Sequence, residues 1–203
     1  TTEAVVPGEL RARGIILSKC SCVIAGLEVA AEAFSQLDPG CAFDRKLKDG
    51  DRCEPGDVVA ELRGQAASML TAERTALNFL QRLSGIATLT RHFVDRAAEG
   101  GPAQIVDTRK TTPGLRDLER YAVRVGGARN HRDTLDDGVL IKDNHIAAAA
   151  QRGVAIPALL ASVRAEVAHT LRIGPRVRIS SAASAFDLCS MSVSSFILPS
   201  AWS

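Results

Sequence analysis

The chain is 203 residues long, 46% hydrophobic and 24% charged, with 25 Lys and Arg against 23 Asp and Glu for a net charge of +2. That length and apolar content can bury a core, which excludes wholesale disorder, and the near-balance of charge excludes a dedicated nucleic-acid binder. Aromatic residues make up only 4%, with one Trp and one Tyr, too few for a platform that stacks bases.

Residues 1–10 (TTEAVVPGEL) carry neither the basic start nor the apolar run of a secretory signal. The first residue is Thr rather than Met, so a preceding segment is expected to be missing. Residues 12–25 (ARGIILSKCSCVIA) are β-branched and apolar and predict two short strands with a bend near Ser18–Cys20. An apolar helix over Gly26–Phe34 follows, ended by Asp38-Pro39-Gly40. Asp49-Gly50 and Pro55-Gly56-Asp57 are turn signals, and Val58–Arg63 alternates as a half-buried strand does.

A long helix is predicted over 72–98, with Thr71 as N-cap and Glu73 in its first turn, where the helix dipole favours an anion. Ala76, Leu80, Leu83, Ala87, Thr90, Val94 and Ala97 make its apolar stripe. Ser84-Gly85 in the middle lowers helix propensity by about 1 kcal/mol, which points to another backbone approaching closely or to a kink. Gly100-Gly101-Pro102 stops the helix and marks a domain boundary.

Beyond it the pattern changes to strand, helix, strand, helix, strand. Gln104–Val106 leads into Asp107-Thr108-Arg109-Lys110. A helix over 113–125 has Thr112 as N-cap and Pro113 at its first position. Leu115, Leu118, Ala122 and Val125 form its buried stripe, and Gly126-Gly127 closes it. Val139–Ile141 leads into Lys142-Asp143-Asn144-His145, then a helix over 147–168 and a run at Thr170–Ile173. This alternation predicts an α/β fold with a parallel sheet or barrel.

From Gly174 the texture shifts: nine of the 24 residues from Ser180 to Ser203 are serine. The apolar stretch 188–203 is broken by serines and a proline and does not predict a membrane span. The five cysteines (Cys20, Cys22, Cys41, Cys53 and Cys189) are odd in number and form no C-x-x-C pair. They read as small buried thiols in a reducing cytoplasm rather than a disulfide frame or zinc site.

Ligands of parallel α/β folds gather where strands end. One strand here runs into Arg109 and Lys110 and another into Lys142, with Thr111 and Thr112 beside them, so a multiply anionic ligand is expected. Region 102–145 holds eight Lys and Arg against seven Asp and Glu, so placement rather than net charge carries this expectation. Arg116, Arg120 and Arg124 at i, i+4 spacing read as a solvated helix face. His131-Arg132 can orient a carboxylate, although simple strand–helix alternation places that loop at the opposite rim.

The segments DTRKTTPGLRDLERYAVRVGGARNHR (107–132), GVLIKDNHIAAA (138–149) and LTAERTALNFLQRLSGIAT (70–88) closely resemble the quinolinate phosphoribosyltransferase family over roughly residues 1–173. The resemblance implies an N-terminal α/β sandwich (1–101) followed by the first units of an open α/β barrel (102–173), with 174–203 a divergent tail. It implies transfer of a phosphoribosyl group from phosphoribosyl pyrophosphate to quinolinate, with loss of carbon dioxide, to give nicotinate mononucleotide for NAD synthesis. Mg2+ is the implied cofactor, the protein an implied homodimer or larger oligomer with a shared site, and neither nucleic acid nor membrane is an implied partner.

Carried over by motif, Arg109, His131, Arg132 and Lys142 hold the quinolinate carboxylates. Lys110 and Thr111 lie by the cosubstrate's phosphates, Lys110 and Lys142 are the catalytic candidates, and Arg74 reaches the neighbouring subunit's site. After Ile173 none of the family's acidic and glycine-rich segments can be matched. The expectation is therefore a chain cut short, with the quinolinate half of the site present and the metal-and-ribose half absent. Two alternatives stay open: a remnant that binds dicarboxylates without catalysis, and a relative from molybdate-uptake operons with another acceptor.

Overall fold

A computed structural model describes residues 2–131, 138–167, 172–175 and 191–193. The chain divides into two compact units, residues 1–129 with 182–203, and residues 130–181.

The first unit opens with a single helical turn, α1 (Thr2–Val5), then β1 (Arg11–Ser18). On β1, Ala12, Gly14, Ile16 and Ser18 alternate inward, the period-two pattern of a strand with one face on the core. The chain bends as the sequence predicts and resumes in β2 (Cys22–Val23), then turns into α2 (Leu27–Ser35). Next come β3 (Ala42–Arg45), β4 (Arg52–Cys53) and β5 (Val58–Gln65). β5 lies antiparallel between β3 and β1.

α3 is a continuous helix from Ala66 to Glu99, about 50 Å long at 1.5 Å per residue. It begins earlier than predicted. Thr71 is not its cap but an interior residue whose hydroxyl donates to Ala67 O at 2.8 Å, and Gln65 takes the N-cap place. The added turn forms because Ala66 and Met69 continue the buried stripe of Ala72, Ala76, Leu80, Leu83 and Ala87. Ala66 to Leu80 of this stripe make the main core with Ile16, Phe34, Val59 and Leu62, and Leu83 and Ala87 belong to a second cluster.

Ser84-Gly85 produces no break in α3. The Ser84 hydroxyl accepts the Ala25 N–H at 3.0 Å and donates to Ala25 O at 3.3 Å. Thr88 Oγ1 accepts the Val23 N–H at 2.8 Å. Small polar residues in mid-helix thus satisfy the backbone of the β2 segment, a buried strand that would otherwise leave donors unpaired.

α4 (Arg116–Val125) packs on α3 through Ala122, Leu118 and Val125 against Leu83 and Ala87. It starts later than predicted: Thr112 and Pro113 lie in a turn closed by Leu115 N–H to Thr112 O at 3.0 Å. The second unit holds β6 (Gly138–Ile141), α5 (Asp143–Gln151), α6 (Ile156–Glu166) and β7 (Arg172–Pro175). β6 and β7 pair in parallel. The single helix predicted over 147–168 is two, because Gly153 turns with φ +71° and Pro157 restarts the chain at the head of α6. β8 (Met191–Val193) returns to the first unit and pairs antiparallel with β1, giving the sheet order β3-β5-β1-β8. No single described helix is long and apolar enough to cross a membrane.

Candidate active site

The segment 107–112 is held from both ends. Asp107 Oδ2 accepts from Arg120 Nε at 2.8 Å, with both side chains only 6% exposed. Arg120 is therefore a buried structural cation and not part of a solvated ladder, whereas Arg116 and Arg124 are exposed. At the other end the Thr112 N–H donates to Glu119 Oε2 at 3.2 Å. Arg82, on α3, donates to Glu119 Oε1 and, at 2.5 Å, to Thr112 Oγ1. Burial pushes the Glu119 carboxyl up, but hydrogen bonds from Arg82 and Thr112 outweigh it and hold it below the ordinary range.

Between these anchors Arg116 braces the middle of the loop. Its Nε donates to Thr111 Oγ1 at 3.2 Å and its Nη2 to Arg109 O at 3.3 Å. Thr111 is half-buried, and Arg109 and Lys110 are exposed. Two cations are thus presented on a backbone whose own carbonyl and hydroxyl groups are engaged elsewhere, an arrangement suited to a carboxylate or phosphate.

Asp107 N–H donates to Arg129 O and Arg129 N–H to Ile105 O, each at 3.0 Å, forming a parallel bridge between Val106 and Arg129. This bridge is isolated and lies outside the named strands.

In the second unit, exposed Lys142 stands at the junction of β6 and α5. Its backbone N–H donates to His145 Nδ1 at 3.0 Å, which fixes the turn from which the ammonium extends. Arg74 is exposed on α3 and His131 half-buried; Arg132 lies outside the described residues. Among the described residues no group of three or more His, Cys, Asp or Glu side chains could hold a metal ion.

Sequence reasoning missed Asp107, Glu119, Arg120 and Arg82. A signal for Glu119 was present: it lies four residues after Leu115 and three before Ala122, inside the stripe that packs α4. A carboxylate there needs a buried partner.

The chain matches two family models, "Quinolinate phosphoribosyl transferase, N-terminal domain" over residues 1–84 and "Quinolinate phosphoribosyl transferase, C-terminal domain" over residues 86–193. The second match thus runs past Ile173. It is 50% identical over 147 residues to a probable nicotinate-nucleotide pyrophosphorylase [carboxylating] of Bacillus subtilis, covering 72% of this chain and 50% of the relative. To a quinolinate phosphoribosyltransferase [decarboxylating] of Nicotiana tabacum it is 43% identical, covering 73% and 42%. Among solved structures, NadC from Streptococcus pyogenes superposes with a TM-score of 0.73 at 42% identity, covering 88% of this chain and 62% of that one. The chain spans about half the length of the curated relatives it matches. With both domain models matched in order along the chain and its fold shared with such structures, the protein belongs to the quinolinate phosphoribosyltransferase family.

Proposed function

We propose that the chain takes part in phosphoribosyl transfer from phosphoribosyl pyrophosphate to quinolinate with loss of carbon dioxide, supplying the surface that receives quinolinate. The observation that carries this reading is the braced segment 107–112, which offers Arg109 and Lys110 outward while α3 and α4 immobilise its backbone. Both substrates bear several negative charges. Like charges a few Å apart repel by several kcal/mol at an effective dielectric near 20, so a pocket for both needs fixed cations.

In this reading Arg109, His131, Arg132 and Lys142 bind the two carboxylates, and Lys110 and Thr111 lie by the phosphates. The quinolinate ring nitrogen forms its bond to the ribose anomeric carbon as the bond to pyrophosphate breaks, and cations stabilise the leaving charge. The cationic ring then accepts the electron pair left when the adjacent carboxylate departs as carbon dioxide, and a proton takes its place. No side-chain nucleophile is required. Arg74, exposed on α3, is the residue proposed to serve a neighbouring subunit's site in a cytoplasmic homodimer. Mg2+ belongs to this reading through family resemblance; the described side chains add no support for it.

Two measurements test it. Calorimetric titration with quinolinate is expected to show binding that Arg109→Ala and Lys142→Ala each weaken tenfold or more; an absence of binding by the native chain would sink the proposal. Carbon dioxide release from carboxyl-labelled quinolinate, with phosphoribosyl pyrophosphate and Mg2+ present, tests turnover. Binding without release would favour the dicarboxylate-binding alternative.

A further inference from the structure

We infer that Glu119 and Arg82 are positioning residues for anion binding, acting on Arg109 and Lys110 through Thr112 without touching a ligand. The inference rests on the quinolinate reading above and adds to it two residues from outside the loop that meets the ligand.

Three separate stretches of chain meet at this point. Arg82 comes from α3, Glu119 from α4 and Thr112 from the end of the anion-facing segment. Glu119 is 9% exposed, and its two oxygens hold different partners, Oε1 the Arg82 guanidinium and Oε2 the Thr112 N–H. Arg82 closes the triangle by donating to the Thr112 hydroxyl. Neighbouring Arg120 fixes Asp107 at the other end, so consecutive residues of one helix secure both ends of a six-residue segment.

A largely desolvated ion pair is a poor source of stability, since apolar residues of similar volume often serve as well or better. What this pair supplies is geometry. Its hydrogen bonds are directional and end on the backbone N–H and hydroxyl of Thr112, two residues after Lys110. A segment ordered before the ligand arrives does not lose conformational freedom on binding, so the knot raises affinity although it lies outside the ligand's reach.

The test uses the full chain at a temperature where it is folded, with two readouts: calorimetric quinolinate binding and amide hydrogen exchange of residues 108–112. Glu119→Gln preserves shape and removes the charge. It is expected to weaken binding about tenfold and to speed exchange in 108–112, with β1 and β5 unchanged in protection. Arg109→Ala is expected to weaken binding without speeding exchange, which separates contact from positioning. Native-like binding by Glu119→Gln overturns the inference. If the native chain binds no quinolinate, the functional reading fails on its own, and exchange still decides: rates in 108–112 unchanged by Glu119→Gln overturn the positioning role. Should Glu119→Gln not fold, Thr112→Val removes only the hydroxyl from the knot. Smaller changes in the same directions are then expected, and no change in either readout overturns the inference.

Discussion

The Tyr121 hydroxyl donates to Asp49 Oδ2 at 2.6 Å, and the same carboxylate accepts the backbone N–H groups of Gly26 at 2.8 Å and Leu27 at 3.1 Å. A turn residue thus caps α2 from a distance in sequence and tethers α4 to the same place. Burial, then the Asp49 hydrogen bond and charge, push the Tyr121 phenol up to about 12. The unfolded phenol ionises near 10, so the unfolded chain loses its proton first. The stability this group contributes is complete below about pH 10 and is lost as pH rises through 12. Because the chain has a single Tyr, tyrosinate absorbance reports it without interference. Native titration near 12 is expected, with a smaller rise above the ordinary phenol value in Asp49→Ala, where burial still acts but the Asp49 hydrogen bond and charge are gone.

Glu119 gives the opposite sign. Its folded carboxyl lies below its ordinary value of 4.5, so it stabilises the fold above that pH and ceases to do so as pH falls through the lower folded value. Resistance of the native chain to urea is expected to fall on acidification over this window, and Glu119→Gln to flatten that part of the profile. An identical pH slope in the two proteins would contradict the assigned hydrogen bonds.

Gly126 ends α4 where it crosses α3. Its φ of −66° suits any residue, so only space matters. A Cβ there would lie 2.5 Å from Thr90 Cβ and 2.6 Å from Ala87 O, and backbone cannot yield as a side-chain tip does. Gly126→Ala is expected to cost about 2 kcal/mol, within the usual range for overpacking. Gly100→Ala, whose nearest contact is Ala97 O at 3.7 Å, should stay within about 0.5 kcal/mol. Denaturation midpoints of the two variants make the comparison.

Cys22 and Cys53 face each other across β2 and β4 with sulfurs 3.3 Å apart. Desolvation is the main cause that pushes the Cys53 thiol up to about 11, leaving little of the reactive thiolate at neutral pH. Iodoacetamide labelling read by mass spectrometry is expected to spare Cys53 in the native protein and to modify it after urea unfolding. Rapid native labelling of Cys53 would show that the β2–β4 ribbon opens.

Much of this architecture is readable from residue order because local chemistry and tertiary packing agree there. Ser84-Gly85 announces a close backbone approach, and β2 provides it. The bend near Cys20 and the limits of α2 follow from short-range propensity. Where the two disagree, packing prevails. Thr71 is a sound cap by itself, yet Ala66 and Met69 offer more buried surface. Thr112 and Pro113 form a sound helix start, yet Arg82 and Glu119 claim the Thr112 donor and acceptor. Arg120 looks like a surface cation because its partner, Asp107, lies thirteen residues away. The exposed cations of the candidate site, Arg109, Lys110 and Lys142, were legible from their positions after apolar runs; the side chains that hold the 107–112 loop in place were not.

The two family models abut at residues 84 and 86, in the middle of the uninterrupted α3. Severing the gene at that seam would leave each product with part of a rod, Leu83 on one piece parted from Ala87 and Ala122 on the other, both sides newly wetted, and the hydroxyl supports of the β2 segment split between two polypeptides. Expression of either half alone should therefore yield insoluble material, and the two pieces should become soluble when produced together.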